Sequence, residues 1–416
     1  MTPRNARLLS VGVTAAILTA TLAACGSSSS SSGGSTHKSP IVIGASLSTT
    51  GSFSADGQAF KRGYLLWAHD QNAKGGLLGH PITFKFLNDN SDPNTAVSNY
   101  QTLITVDHVN LTIGPFSSLL TAPSATVTHR YGYALVEGAG GSPAVFATKL
   151  PNVFDVSLPV AKSLQPLLTY LTSLPASQRP KTAAYPTVND LFTTFQTAYA
   201  QQVLSGAGIR TVYSASKLFP AEPTQYKGIA DQVARTKADV VVLGSLDVPT
   251  VQAFTQAFVQ QHYSPKVFVA TAGPDQGAAY VKAVGGGNTD GVLVPNTSYL
   301  GAPDPVRNAM QAEYVRLYGG SASGINADVY EAYSVGQVLT QAIEAAHSTS
   351  NTKIIQYLHS GATMTSVQGP VKFDPVGENI LATPAVYQWQ KGKYVFVLPN
   401  VSGSVPIVYP KPAWGK

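Results

Sequence analysis

Two short loops in this chain combine hydroxyls, small residues and unobstructed backbone amides, the groups needed to hold a carboxylate or a carbonyl. Gly114-Pro115-Phe116-Ser117-Ser118 joins a predicted strand to a helix expected to start near Thr121, where free N–H groups and the helix dipole favour an anion. Glu137-Gly138-Ala139-Gly140-Gly141-Ser142 follows the next strand and exposes amides without bulky side chains. Each loop taken alone also has a plainer reading, in which the serines cap helices and the glycines permit turns. Enzymatic chemistry finds less support. The 8 histidines are scattered, with no HExxH pair and no histidine pair near a cysteine, so no metal centre is expected. GxSxG, P-loop and GxGxxG patterns are absent, and Gly285-Gly286-Gly287-Asn288 lacks a third glycine. Spacing alone leaves open a distant pair of carboxylates for glycoside hydrolysis. The patterns point to binding, with no catalytic residue and no cofactor expected.

Cys25 is the single cysteine, in the string Leu22-Ala23-Ala24-Cys25-Gly26. Arg4 and Arg7 precede an uncharged stretch, residues 8–20, that is too short to span a bilayer and fits the apolar core of a signal peptide. A cysteine just after such small residues resembles the lipobox of bacterial lipoproteins, in which the thiol is acylated and Cys25 becomes the first mature residue. The other reading leaves Cys25 a free thiol beside an ordinary cleavage site. Residues 26–39 are dominated by serine and glycine, which predicts a flexible tether with a reach of roughly 20 Å. The expected organisation is a signal peptide over 1–24 and a tether over 25–39.

Charged residues are only 12% of the chain, and the formal charge of +6 falls to +4 once Arg4 and Arg7 leave with the signal. No Lys/Arg run of five occurs, so nucleic acid is not an expected partner. At 44% hydrophobic, the rest of the chain is long enough to bury two cores. Apolar strand-like runs at 41–47, 82–87, 111–113 and 133–136 alternate with helical patterns at 56–74, 93–106 and 121–130. A second series follows Pro159, with helices predicted over 160–174, 190–205, 224–237 and 250–261. Strands are predicted over 182–185, 211–213, 239–243, 266–269 and 291–294. Helices over 305–318 and 327–347 come next, and three short strands follow Val367. In the helix 327–347, Val329, Tyr333, Gly336, Leu339 and Ile343 form one buried stripe. Two such βα series predict an α/β protein of two lobes.

Thr50-Gly51, Asp56-Gly57, Gly63, Asn72-Ala73-Lys74-Gly75-Gly76, Gly79, Asp89 and Asp92-Pro93, with Gly369-Pro370 and Phe373 near the end, carry a family pattern. In these residues the chain resembles the leucine/isoleucine/valine-binding protein family, the type I periplasmic binding proteins that feed ABC importers. The resemblance implies two Rossmann-like lobes joined by three crossing strands at 153–158, 293–299 and 367–373. Lobe 1 would comprise 40–155 and 297–370, and lobe 2 would comprise 156–296 and 371–416, with the ligand between them. It also implies that the two loops hold the α-carboxylate and α-ammonium of an amino acid. Ser118 and Ala139 align with contacting positions and Phe116 with an apolar wall, and Ser117, Gly140, Gly141 and Ser142 complete the loops.

Several positions depart from that pattern. Gly141 stands where amino-acid binders have a threonine, Asp190 where the second lobe offers a tyrosine, and Leu246 or Asp247 at a further aromatic position. The acid that would pair with an ammonium falls near Ala272-Gly273, leaving Asp190, Asp247 or Asp275 as substitutes. Asp56 takes a position that is often aromatic. Each acid has a plainer reading as a cap or a solvated loop residue. Of Tyr330 and Tyr333, one is expected to reach the ligand and the other to pack in the core, with Glu331 between them in solvent. The expected function is an extracytoplasmic, lipid-anchored solute-binding protein of an ABC importer, monomeric, with a small amino-acid-like, amide or carboxylate ligand and a permease as partners. The alternatives are a ligand-sensing regulator on the same fold, similar to amide sensors, and a surface hydrolase.

Overall fold

The computed structural model describes residues 38–296 and 304–415. Cys25, the signal 1–24, most of the tether and part of the expected crossing 293–299 lie outside the described residues. Among the described residues no helix is long and apolar enough to cross a membrane.

The first βα series runs β1 (Ile41–Leu47), α1 (Ser54–Ala73), β2 (Ile82–Asn88), α2 (Pro93–Thr105), β3 (Leu111–Ile113), α3 (Ser118–Arg130), β4 (Leu135–Glu137), α4 (Pro143–Phe146) and β5 (Val153–Asp155). Its five strands are parallel in the order β2-β1-β3-β4-β5. β1 is apolar almost throughout because it has a neighbour on each side and helices on both faces. The chain leaves β1 in one direction to reach β2 and in the other to reach β3, so the loops after β1 and β3 splay apart. Such a switch point opens a crevice at the carboxyl ends of the strands.

The second series runs α5 (Gln165–Ser173), β6 (Thr182–Ala184), β7 (Thr187–Val188), α6 (Leu191–Gly206), β8 (Arg210–Tyr213), β9 (Leu218–Phe219), α7 (Pro223–Arg235), β10 (Val240–Leu243), α8 (Val248–Gln260), β11 (Val267–Ala270), α9 (Ala278–Val284) and β12 (Val292–Asn296). The chain then forms α10 (Pro305–Tyr318), α11 (Ala327–Ala346), α12 (Asn351–Leu358), β13 (Met364–Ser366) and β14 (Gly369–Val371), and ends in β15 (Ala385–Gln390) and β16 (Lys393–Leu398). The second sheet is ordered β16-β15-β12-β11-β10-β6-β8, parallel from β8 to β12 and closed by the antiparallel hairpin β15–β16.

The chain passes between the two sheets after β5, after β12 and between β14 and β15, the three connections of a type I periplasmic binding fold. Two expectations of detail need revision. The helix predicted over 160–174 is a 3-10 turn at Val160–Lys162 followed by α5, because Pro166 fits the first turn of a new helix better than the interior of a long one. α12 and the short strands β7, β9 and β13 were too brief to show a period.

α11 packs back along α1, and Met310 and Tyr314 of α10 join the same core. Gly63 and Gly336 face the crossing of α1 and α11. A Cβ on Gly336 would lie 2.1 Å from the Trp67 indole, and one on Gly63 would lie 2.5 Å from the Val329 carbonyl oxygen. The two glycines therefore let the helix backbones approach closely, and this fixes which face of α11 turns toward the cleft.

Candidate ligand-binding site

A cavity of about 90 Å³ lies between the two lobes at the carboxyl ends of both sheets. Its first-lobe floor is Phe116 and Ser117 after β3 and Ala139 and Gly141 after β4. Ser117 is held at φ +77° and its side chain accepts from Leu120 N at 3.4 Å, which starts α3 at Ser118, one turn before the expected Thr121. A serine in that backbone region is strained by on the order of 1–3 kcal/mol, a cost seen most often at ligand sites. Phe116 stacks edge-on against Phe53 and Phe60, with ring centroids 5.6 and 5.5 Å away. Phe192 and Leu246 face it from the second lobe, and Leu158 and Val160 extend the apolar wall.

The loop after β4 is built around Glu137. Ala139 N and Gly140 N donate to its carboxylate at 2.8 and 2.5 Å, while Ser142 N donates to Ser118 Oγ at 3.2 Å. A Cβ at Gly140 would come 2.7 Å from Glu137 Oε1, so the tight turn requires glycine there. Ser142 caps α4 and its hydroxyl donates across the cleft to Leu191 O at 2.7 Å. Gln276 of the second lobe donates to Asp56 Oδ1 of the first. Phe53 and Leu120 of the first lobe are buried among second-lobe side chains. The lobes are thus closed on one another.

In the second lobe, Ser245 N donates to Thr271 Oγ1 at 2.9 Å and Ser245 Oγ to Ala272 O at 2.6 Å, holding the loops after β10 and β11 together. Asp275 accepts from Gly273 N at 2.8 Å, and Trp389 Nε1 anchors this loop through Pro274 O at 2.8 Å. α11 brings Asp328 and Glu331, one turn apart, to the cavity.

Burial dominates the electrostatics. The Asp56 carboxyl is raised well above its usual range by burial and then by the neighbouring Asp328. Asp328 is pushed up to about 7 by burial and by Asp275, and burial lifts Asp275 to about 6. Glu331 is raised well by burial with Asp328 and Asp275 beside it. Behind the floor, Glu137 is raised by burial and by Asp155, partly offset by the two amides, and Asp155 reaches about 7 through burial.

Of the residues singled out in the sequence, Asp56, Phe116, Ser117, Ala139, Gly141, Leu246, Ala272 and Asp275 line the cavity. Ser118, Gly140 and Ser142 lie behind them as buried loop scaffold. Asp190 caps α6 through Phe192 N at 2.7 Å, and Asp247 caps α8 through Thr250 N at 2.9 Å. Tyr330 sits outside the lining, its hydroxyl accepting from Gln311 Nε2 at 2.8 Å, and Tyr333 donates to Asp70 at 2.8 Å. Glu331, expected in solvent, lines the cavity instead, because the close α1–α11 contact turns the opposite face of the helix inward. Asp328 and Gln276 escaped the sequence reading. An acid in the first turn of a helix reads as a dipole partner, and no local pattern separates that role from a cavity wall.

A sequence profile described as periplasmic binding protein matches residues 40–393. A Leu/Ile/Val-binding protein homolog 2 from Brucella abortus (strain 2308) is 24% identical over 370 residues, spanning 86% of this chain and 93% of its own length. A Leu/Ile/Val-binding protein BraC3 from Rhizobium johnstonii is 23% identical over 362 residues, spanning 85% of this chain and 93% of its own. Among solved structures, the substrate-binding protein LivJ from Streptococcus pneumoniae in complex with isoleucine matches with a TM-score of 0.74, 17% identity, and coverage of 90% of this chain and 100% of that one. A solute-binding protein from R. palustris in complex with benzoate matches with a TM-score of 0.73, 17% identity, and coverage of 90% and 98%. These similar proteins are binding proteins and not enzymes. On the profile match, over most of its length, this chain belongs to the leucine/isoleucine/valine-binding family of type I periplasmic binding proteins.

Proposed function

We propose that the chain is an extracytoplasmic, lipid-anchored solute-binding protein of an ABC importer, capturing a small amino-acid-like, amide or carboxylate ligand between two closing lobes. The observation that carries this reading is the cavity itself, walled from both lobes at the carboxyl ends of their strands. The lobes would be 40–155 with 297–370 and 156–296 with 371–416. A ligand touching both lobes at once favours the closed arrangement, and the permease then meets a monomer whose shape reports occupancy. Similar proteins carry isoleucine in one case and benzoate in another, so the fold accommodates both aliphatic and aromatic solutes.

A thermal-shift screen of the purified protein tests the reading. A solute at one hundred times its dissociation constant should add about 2.7 kcal/mol of stability, and no tested solute should be turned over. Product formation from any solute would contradict a pure binder.

The anchor rests on Cys25 after the small residues Ala23 and Ala24, ahead of the serine-rich tether. Cys25→Ser should move the protein from the membrane fraction to the soluble fraction or stall its processing. Unchanged membrane association of that variant would exclude acylation at Cys25.

A further inference from the structure

Asp56 from α1, Asp275 from the loop after β11, and Asp328 and Glu331 from α11 all turn toward one cavity, and among the described residues lining it none is Lys, Arg or His. Asp56 and Asp328 are 2% and 8% exposed, and in each the Oδ2 atom is buried without a hydrogen-bond donor. The two carboxyl groups neighbour each other. Two acceptors so placed need either a shared proton or a positively charged donor between them.

Three of the loop amides that would receive a ligand carboxylate are, by contrast, already engaged. The Ala139 and Gly140 amides donate to Glu137, and the Ser142 amide to Ser118. Glu137, behind the floor and outside the lining, thus takes up two of the amides that an acidic solute would have used. A metal ion does not fit this arrangement. Among the described residues, the acids and histidines that converge within 4.8 Å are His69, Asp70 and Glu313, on α1 and α10, and not those of the cavity. The cavity acids are spread around an apolar wall of Phe116, Phe192 and Leu246.

We propose that the cavity selects a small organic cation, an ammonium or amidinium group on an apolar body, seated among Asp56, Asp275, Asp328 and Glu331, with no carboxylate required of the ligand. This narrows the solute-binding reading and rests on it. The cation takes the place of the proton shared by Asp56 and Asp328, which leaves to solvent. Binding therefore weakens as pH falls through about 7 to 6, where Asp328 and Asp275 take up protons. The other titratable groups facing this cluster are Tyr64 of α1, Glu137 and Asp155 of β4 and β5, Asp247 before α8 and Tyr394 of β16.

Calorimetry on the full chain with matched probes tests the assignment. 3-Methylbutylamine, leucine and 4-methylpentanoate share one aliphatic body, and benzylamine and benzoate share one aromatic body. At pH 8 at least one amine should bind at least tenfold more tightly than its matching acid, and 3-methylbutylamine more tightly than leucine. Buffers of different ionisation enthalpy should reveal proton release. The amine affinity should fall at least tenfold by pH 5.5, and at least tenfold in Asp275→Asn and in Asp328→Asn, each first checked for a cooperative melt. Tighter binding of leucine, benzoate or 4-methylpentanoate, undiminished amine binding by both variants, or silence from all five probes at millimolar concentration overturns the charge assignment. Binding of an acid or of leucine would leave the solute-binding reading standing. Turnover of a probe, followed by NMR, would overturn that reading instead.

Discussion

Gly336→Val should lower the free energy of unfolding by about 3 kcal/mol, read as a fall in the urea midpoint. Replacing glycine within a helix normally helps, by up to about 1 kcal/mol for alanine. Here the clash decides the sign. The new Cβ would meet Trp67 Cδ2 at 2.1 Å and Cγ at 2.2 Å. The indole has nowhere to go: it is 2% exposed, its Nε1 donates to Thr340 Oγ1 at 3.1 Å, and Phe84 packs against it edge-on at 6.1 Å. The contact can be relieved only by moving α11 away from α1, which would also withdraw Asp328 and Glu331 from the cavity. Gly228→Ala is the internal control. That glycine lies on the exposed side of α7 with nothing within 4 Å of a built Cβ, so the same kind of change should stabilise by about 0.5–1 kcal/mol. Equal effects at the two sites would refute the close-contact argument.

The second large effect is an inverted pH dependence of stability. Asp328 at about 7 and Asp275 at about 6 stand above the 3.8 of an unperturbed aspartate, and Asp56, Glu137 and Glu331 shift the same way. Between about pH 4 and pH 7 the folded chain therefore binds more protons than the unfolded one. Its stability is greatest at the acidic end of that window and falls as pH rises through the folded values. Asp231 and Glu313 are lowered by Lys227 and Arg316 and act in the opposite sense, but they are exposed ion pairs of small effect. The net loss from pH 5 to pH 8 should be on the order of 3 kcal/mol, or a melting temperature lower by about 5 °C. Asp328→Asn should flatten this slope, because an amide beside Asp56 has no proton to lose. A melting temperature that rises from pH 5 to pH 8 would mean that these acids are solvated and not buried together.

The sequence alone determined the architecture of this protein. Strand-like runs such as 41–47 and 239–243, alternating with helical periods, can bury both faces only as parallel sheets covered by helices, and they appear as β1 and β10 in two sheets. The glycine and aspartate positions around Thr50-Gly51 and Asp92-Pro93 are local turn and cap chemistry, so they were legible one by one. Asp92 caps α2 through Thr95 N at 2.7 Å. The two loops at 114–118 and 137–142 were legible for the same reason, since a strand followed by a glycine-rich turn places its amides at a sheet end.

The charge of the cavity depended on contacts that no local stretch records. Asp56 and Gln276 are 220 residues apart and meet only because the lobes close. Asp328 and Glu331 face the cavity, in place of Tyr330 and Tyr333, because Gly336 and Gly63 fix the rotation of α11 against α1. Glu137 folds back onto two amides of its own loop, which removes them from the expected anion cradle. Secondary structure follows from neighbours in sequence, whereas burial and the company a carboxylate keeps are set by packing across the whole chain. The clamp was therefore written locally, and the sign of the charge inside it was decided by the tertiary fold.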